Sequence, residues 1–265
     1  MIRRILIWGI ITALPAITHA QSASPADDVA DNSGQDPTRP VTRVDLREKY
    51  DDNPAGAQAL IITLRADKPF LLGDGWKLST RADLPILDST TATPANPTGR
   101  GEWGIGDALF QALVVAPPMG RAAVAFGGQL IAPTGADTQF TTGKWQAVPT
   151  AAAIYQMPEI SRGTFIGLLV RDAFSFAGKK NRASINVVSL EPLFNWQLPK
   201  SWFLTFAPEM KMDTKNDWRL FVPFDVTIGR KLGPRTVMSL QLDAPLIRDY
   251  PQYDWQAEFR IGFFF

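Results

Sequence analysis

The 265-residue chain has no cysteine, and its one histidine, His19, falls within the first twenty residues. Disulfides are excluded outright. If the first twenty residues are discarded, zinc sites built on His or Cys are excluded as well. So are Ser-His-Asp and Cys-His nucleophile systems, which need an imidazole to carry the proton. Neither sign of charge dominates, with 27 Lys and Arg against 26 Asp and Glu. That balance rules out a polybasic nucleic-acid binder and an acidic disordered tail. Long apolar runs are scarce too, and past residue 20 none approaches the roughly 18 residues a spanning helix needs.

What is present begins with Met1 to Ala20. Arg3 and Arg4 precede the apolar run Ile5-Leu6-Ile7-Trp8-Gly9-Ile10-Ile11, and the segment ends Thr18-His19-Ala20. A charged start, a short apolar stretch and a small final residue are the parts of a secretory signal peptide. Pro15 interrupts the stretch and argues against a membrane-anchoring helix. Cleavage near Ala20 is therefore expected, and it takes the formal charge from +1 to −1 over the remaining 245 residues. Residues 21–42 are polar, small and interrupted by proline, which predicts a flexible periplasmic leader.

From residue 43 onward, apolar and polar residues alternate with period two in segments of about ten residues. In the last of these, Tyr253, Trp255, Ala257, Phe259, Ile261, Phe263 and Phe265 share one face, opposite Asp254, Gln256, Glu258, Arg260 and Gly262. Twelve such segments can be marked: 43–51, 58–70, 76–88, 101–117, 121–134, 142–157, 163–177, 183–198, 202–213, 217–231, 236–247 and 253–265. Their connections tend to alternate between short Gly-, Pro- or Lys-rich turns and more polar loops such as 89–100. The pattern predicts an all-β fold, a transmembrane antiparallel up-and-down β-barrel of about 12 strands spanning 43–265. A soluble β-sandwich also alternates, but its strands are nearer 5–6 residues. Trp76, Trp103, Trp145, Trp202, Trp218, Trp255, Phe70 and Tyr155 also stand at strand ends, where the aromatic girdles of an outer-membrane barrel belong.

With the apolar face toward lipid, the opposite face lines the interior. Lumen-lining candidates are Arg65, Asp67, Arg81, Asp83, Glu191, Glu209, Lys211, Arg219, Asp225, Asp243, Glu258 and Arg260, with Lys77, Asn195 and Gln241 beside them. Arg or Lys facing mid-depth hydrocarbon costs about 2–4 kcal/mol, so the inward assignment is cheaper. These residues fit either an ion-pair network that fills a narrow interior or a polar path for a solute. Arg171 and Asp172 are adjacent and must point opposite ways.

Other motifs are sparse. Gly104-Ile105-Gly106-Asp107 resembles the start of a phosphate loop, but no helix pattern follows, so a bulge or close approach explains the glycines better. Asp51-Asp52-Asn53 and Asp213, Lys215, Asn216, Asp217 read as solvated turns rather than calcium loops. No catalytic residue, metal site or cofactor is expected.

Several phrases, taken in order, resemble a family of bacterial outer-membrane transporters labelled as involved in the meta-pathway of phenol degradation. They are Gly104-Ile105-Gly106-Asp107-Ala108, Ala132-Pro133-Thr134-Gly135, Thr142-Gly143-Lys144-Trp145, Phe174-Ser175-Phe176-Ala177-Gly178 and Glu191-Pro192-Leu193, and their order and approximate spacing agree across roughly 43–265. The resemblance implies a signal peptide, an outer-membrane barrel and passage of small, hydrophobic or aromatic molecules; it implies no catalytic residues.

Expected partners are outer-membrane lipid, the barrel-assembly machinery through the closing strand that ends in Phe265, and a small solute, with no nucleic acid. The expected location is the Gram-negative outer membrane. The leading functional expectation is a non-enzymatic channel whose selectivity comes from pore width and fixed charge. The alternative is a structural or surface-interaction barrel with a filled lumen.

Overall fold

The computed structural model describes residues 32–92, 97–250 and 252–265. The expected signal peptide, including His19, and residues 21–31 of the expected leader lie outside the described residues. The strands are β1 Arg43–Asp52, β2 Gln58–Gly73, β3 Trp76–Ser89, β4 Glu102–Ile105, β5 Ala108–Val115, β6 Ala122–Ala132 and β7 Lys144–Gln156. They continue as β8 Phe165–Gly178, β9 Asn186–Gln197, β10 Trp202–Phe206, β11 Met210–Asp213, β12 Arg219–Lys231, β13 Thr236–Arg248 and β14 Trp255–Phe264.

Each strand pairs antiparallel with its neighbours, and β1 pairs with β14 from Arg43 opposite Phe264 to Asp52 opposite Trp255, so the sheet closes on itself. β4 and β5 both pair with β3, while β10 and β11 each lie between β9 and β12. Each couple is therefore one stave broken midway, and the barrel has twelve staves that coincide with the twelve sequence segments. The first break falls at Gly106-Asp107, where the Gly106 N–H still donates to Pro85 O at 2.9 Å. The second falls at Ala207-Pro208-Glu209, where Pro208 has no N–H to give the ladder. There the Asp225 carboxylate accepts the Ala207 N–H at 3.3 Å instead.

Burial is inverted relative to a water-soluble protein. Leu64, Phe110, Phe126, Phe224, Leu242 and Phe259 are exposed on the outer surface, whereas Asp45, Asp67, Asn195, Asp225 and Arg260 are buried inside. Apolar surface that would be a liability in water is here the hydrocarbon-facing band. All eight residues of the expected girdles are exposed. Phe70, Trp76, Tyr155 and Trp202 stand at the end carrying the short turns and the start of β1, which is the periplasmic end. Trp103, Trp145, Trp218 and Trp255 stand at the opposite, extracellular end.

The interior is less uniformly polar than the alternation suggests. Val115, Ala125, Ala152, Ile154, Phe165, Leu169 and Leu193 form a buried apolar cluster inside the wall made by β5 to β9. A second cluster, Phe203, Val237 and Phe264, receives Val41 from the segment before β1. Tyr253, which the period-two pattern groups with the lipid face of the last strand, turns inward instead. It precedes β14, where the pleat no longer dictates direction, and its ring meets Phe221 edge-on at 4.9 Å. Arg171 points inward opposite Ser189, which leaves Asp172 opposite Val188 on the outer side.

Residues 32–42, expected within a flexible leader, are folded against the inside of the periplasmic end. Asn32, Ser33, Asp36 and Thr38 are buried. The segment holds its own bend: Asp36 Oδ1 accepts both the Thr38 N–H at 2.8 Å and the Thr38 hydroxyl at 2.6 Å, and Asn32 Nδ2 donates to Arg39 O at 2.8 Å. Gln156 Nε2 on β7 then donates to Asp36 Oδ2 at 2.7 Å, and Arg43 Nη1 to Gly34 O at 2.7 Å.

The face assignment yields a stability prediction. Leu242 sits mid-strand in β13 on the outer face. Leu242→Arg is expected to lower folding stability in lipid vesicles by about 2–4 kcal/mol, measured by equilibrium urea titration.

Candidate functional site

The site is the lumen, and β1 does most to shape it. Arg43, Asp45, Arg47, Lys49 and Asp51 occupy alternate positions and so point to one side. Register sets opposite charges beside one another: Arg43 stands opposite Asp67 and Asp45 opposite Arg65 on β2, while Arg65 stands opposite Asp83 and Asp67 opposite Arg81 on β3. Cross-strand pairs of opposite sign are favourable and like pairs are not, so this pattern helps hold the register.

The contacts are short. Arg43 Nε donates to Asp67 Oδ2 at 2.6 Å, and Arg81 Nε to Asp67 Oδ1 at 2.8 Å. Arg65 grips Asp83 through two bonds of 2.8 and 2.7 Å. From β14, Arg260 Nε lies 3.1 Å from Asp45 Oδ2, and Glu258 Oε1 lies 2.8 Å from Arg47 Nη2. A Cβ on Gly262 would strike Asp45 Oδ1, so glycine at this position leaves room for the buried pair.

Across the barrel the pattern repeats on a smaller scale. Arg171 donates to Glu191 and to Glu209, each at 2.7 Å, and Lys211 Nζ lies 3.2 Å from Glu209. Asp225 and Asp243 face each other on β12 and β13. They are bridged by amides: Gln241 Nε2 donates to Asp225 Oδ2 at 2.6 Å and to Asp243 Oδ2 at 3.1 Å, and Gln256 Nε2 to Asp243 Oδ2 at 2.6 Å.

Between these walls lies a cavity of about 410 Å³, floored by residues 34–37 and 39–41. Of the sequence candidates, Arg65, Asp67, Arg81, Glu191, Glu209, Lys211, Asp225, Asp243, Glu258 and Arg260 line it. Asp83 lies behind Arg65, and Arg219 is exposed at the extracellular start of β12; neither lines the cavity. Arg43, Arg47, Lys49 and Arg171, none of them among the sequence candidates, line it as well. For the three on β1 the signal is the i, i+2 run of charge in 43–51, masked by Glu48 on the outer face of the same strand; for Arg171 it is the adjacent Asp172.

The recurring phrases of the sequence meet in space at the extracellular mouth. Asp107 Oδ2 accepts the Thr142 N–H and hydroxyl, both at 2.8 Å, and Asp107 Oδ1 accepts the Gly135 N–H at 3.3 Å. Thr134 Oγ1 donates to Gly106 O at 2.8 Å and accepts the Ala108 N–H at 2.9 Å. Gly104 passes under the ring of Phe140 with no space for a Cβ, and the Gly143 carbonyl accepts the Lys179 N–H at 2.9 Å. These residues tie loop 133–143 down over the broken stave β4–β5. Gly104 and Gly106 serve close approach, with no helix after them to cradle a phosphate. At another loop tip, Asp213 caps its own turn through the Lys215 N–H at 3.0 Å and Asn216 Nδ2 at 2.7 Å.

A closed twelve-stave barrel with paired aromatic girdles and a charged interior around a cavity is an outer-membrane β-barrel of the porin-like kind. Residues 32–168 match the sequence family described as "Putative MetA-pathway of phenol degradation", and the chain belongs to that family. No curated protein matches the sequence. Among solved structures, the COG4313 outer membrane channel from Pseudomonas putida F1 is similar in fold, with 14% identity, a TM-score of 0.69, and 85% of this chain and 96% of that chain covered. The NanC porin is also similar, with 11% identity, a TM-score of 0.57, and 84% and 98% covered. The KdgM porin has 10% identity, a TM-score of 0.51, and 84% and 99% covered.

Burial pushes the Asp36 carboxyl above its ordinary range, against the opposing pull of its Thr38 and Gln156 donors. The packed segment then holds this proton more tightly than a free chain does. Packing of residues 32–42 is therefore expected to be firmest at low pH. It weakens as pH rises from the ordinary carboxylate value through the raised one. Amide-exchange protection of residues 33–41, followed from about pH 4 to pH 7, should fall with rising pH, and Asp36→Asn should flatten the dependence.

Proposed function

We propose that the chain is a non-catalytic outer-membrane channel for small solutes, delivering them through the lumen to the periplasm. The observation that carries this reading is the cavity of about 410 Å³ between opposed charged walls, floored by a single short segment rather than by the barrel itself. A floor made of one segment is removable without dismantling any strand pairing. The similar folds named as a channel and as porins support the same reading.

Hydrophobic or aromatic solutes fit two further features. The family description refers to phenol degradation. The wall from β5 to β9 carries an apolar cluster, and Leu113, Leu169 and Leu193 reach the cavity. The lumen residues would set selectivity through their width and charge, chiefly Arg47, Arg65, Arg81, Glu191, Glu209 and Glu258. Maturation by cleavage near Ala20 and recognition of β14, ending in Phe265, by the barrel-assembly machinery belong to the same proposal.

A second reading, a structural barrel with a filled lumen, is favoured by the density of ion pairs around Asp45 and Asp67, both buried. Planar-bilayer recording separates the two. The mature chain should show discrete openings, and deletion of residues 32–41 should enlarge the unit conductance several-fold. Silence from both proteins, each shown to be folded by heat-modifiable migration, would establish the structural reading.

A further inference from the structure

We infer that the lumen cavity is a binding site for a small organic carboxylate, with the free edge of the Arg81 guanidinium as its anchor. This rests on the channel reading for how the solute arrives, but the site itself is argued from the side chains around Arg81.

Most lumen arginines are used up by the protein. Arg65 spends two nitrogens on Asp83, and Arg43 divides itself between Asp67 and Gly34 O. Arg81 differs. Its Nε donates to Asp67, and among the described residues no acceptor is recorded for its two terminal nitrogens. It is also the most open of the six ion-paired arginines on the strands around the cavity, with 23% of its side chain accessible against 2–20% for Arg43, Arg47, Arg65, Arg171 and Arg260. A guanidinium with its terminal pair free presents two parallel N–H donors, the geometry that a carboxylate accepts in a fork.

The local charge is short of anions. Asp67 is bonded to both Arg43 and Arg81, and Arg43 also has Asp45 Oδ2 at 3.5 Å; across this linked cluster the five guanidinium groups of Arg43, Arg47, Arg65, Arg81 and Arg260 meet the four carboxylates of Asp45, Asp67, Asp83 and Glu258. Nearby, Arg47 leaves its Nε buried without an acceptor while Nη2 is held by Glu258. A bound anion would balance the cluster and lie within the field of Arg47, which lines the same cavity.

The neighbours of Arg81 decide what is attached to that anion. Gln111 stands directly opposite Arg81 on β5, and Leu113, two residues along, faces the same way. Leu169 and Leu193 continue the apolar surface around the wall. A solute with its carboxylate on Arg81 would lay a ring or alkyl chain on these leucines. An inorganic oxyanion has nothing to put there, and a neutral ring has nothing to offer Arg81.

Benzoate is the probe, with benzyl alcohol as its uncharged counterpart and inorganic phosphate as the anion without a ring. Titration calorimetry of the mature chain in detergent at low salt should show benzoate binding at least tenfold more tightly than either. Arg81→Gln should cost benzoate at least tenfold and leave benzyl alcohol unchanged. Arg121→Gln, at the exposed periplasmic rim pair with Glu159, should change neither. Equal binding of benzoate and benzyl alcohol by the unaltered chain overturns the proposal without needing any variant to fold. So does undiminished benzoate affinity in a folded Arg81→Gln protein. Bilayer recording in parallel keeps the two readings apart. Benzoate binding by a silent barrel retains the site and removes the channel; openings with no benzoate binding retain the channel and remove the site.

Discussion

Hydrocarbon offers no hydrogen-bond partners, so every backbone N–H and C=O at that depth has to find one within the protein. The closed ladder, with β14 returned against β1, answers that demand, and the rest of the molecule follows from it. A strand facing lipid on one side must put its polar side chains on the other, which concentrates charge in a narrow interior. The same demand governs the places where staves break. At Pro208 the missing donor is accommodated by ending β10, and the Asp225 carboxylate accepts the neighbouring Ala207 N–H. At Gly106 and Asp107 the hydroxyl of Thr134 and the carboxylate of Asp107 take over for the ladder.

The interior divides into two kinds of wall. Around β14, β1, β2 and β3, charges of opposite sign are interleaved along and across strands, and most buried ions have a partner of opposite sign on an adjacent strand. Such pairs contribute modest net stability, but leaving one member alone is costly, by about 3–5 kcal/mol. Around β5 to β9 the inward face is largely aliphatic near the periplasmic end. Residues 32–42 draw on both sides: Asp36 takes its bond from Gln156 on β7, Gly34 from Arg43 on β1, and Val41 packs on Phe203, Val237 and Phe264.

Much of this was legible beforehand, because lipid on one side and confinement on the other impose a strict period of two. Twelve segments, the girdle positions and most of the lumen charges could be read from that period. What escaped is what the period does not encode. Apolar residues at Ile154, Leu169 and Leu193 look the same in sequence whether they meet acyl chains or one another across a lumen. Tyr253 lies just outside its strand, where a single backbone turn reverses the expected side. The leader is short and polar, and its burial depends on partners such as Gln156, 120 residues away. Arg171 and Asp172 were plainly in conflict, yet only the positions of Glu191 and Glu209 show which of the two turns inward. The meaning of the glycine-containing phrases lies in Asp107 and Thr134 bonding across long stretches of chain, which no local pattern encodes.

The pair Arg260 and Asp45 brings together residues 215 positions apart, nearly the whole length of the folded chain. Arg47 and Glu258 span the same seam, whereas Arg43, Arg65 and Arg81 find Asp67 and Asp83 on the adjacent β2 and β3. Asp45 and Arg260 have to wait for the last strand. Until β14 docks, Asp45 lacks Arg260 and Arg47 lacks Glu258, so each edge of the open seam is short of the partners the other carries. The chain thus contains its own completeness check: an unfinished cylinder is electrostatically marked at its open seam, and the mark disappears when the circle is joined.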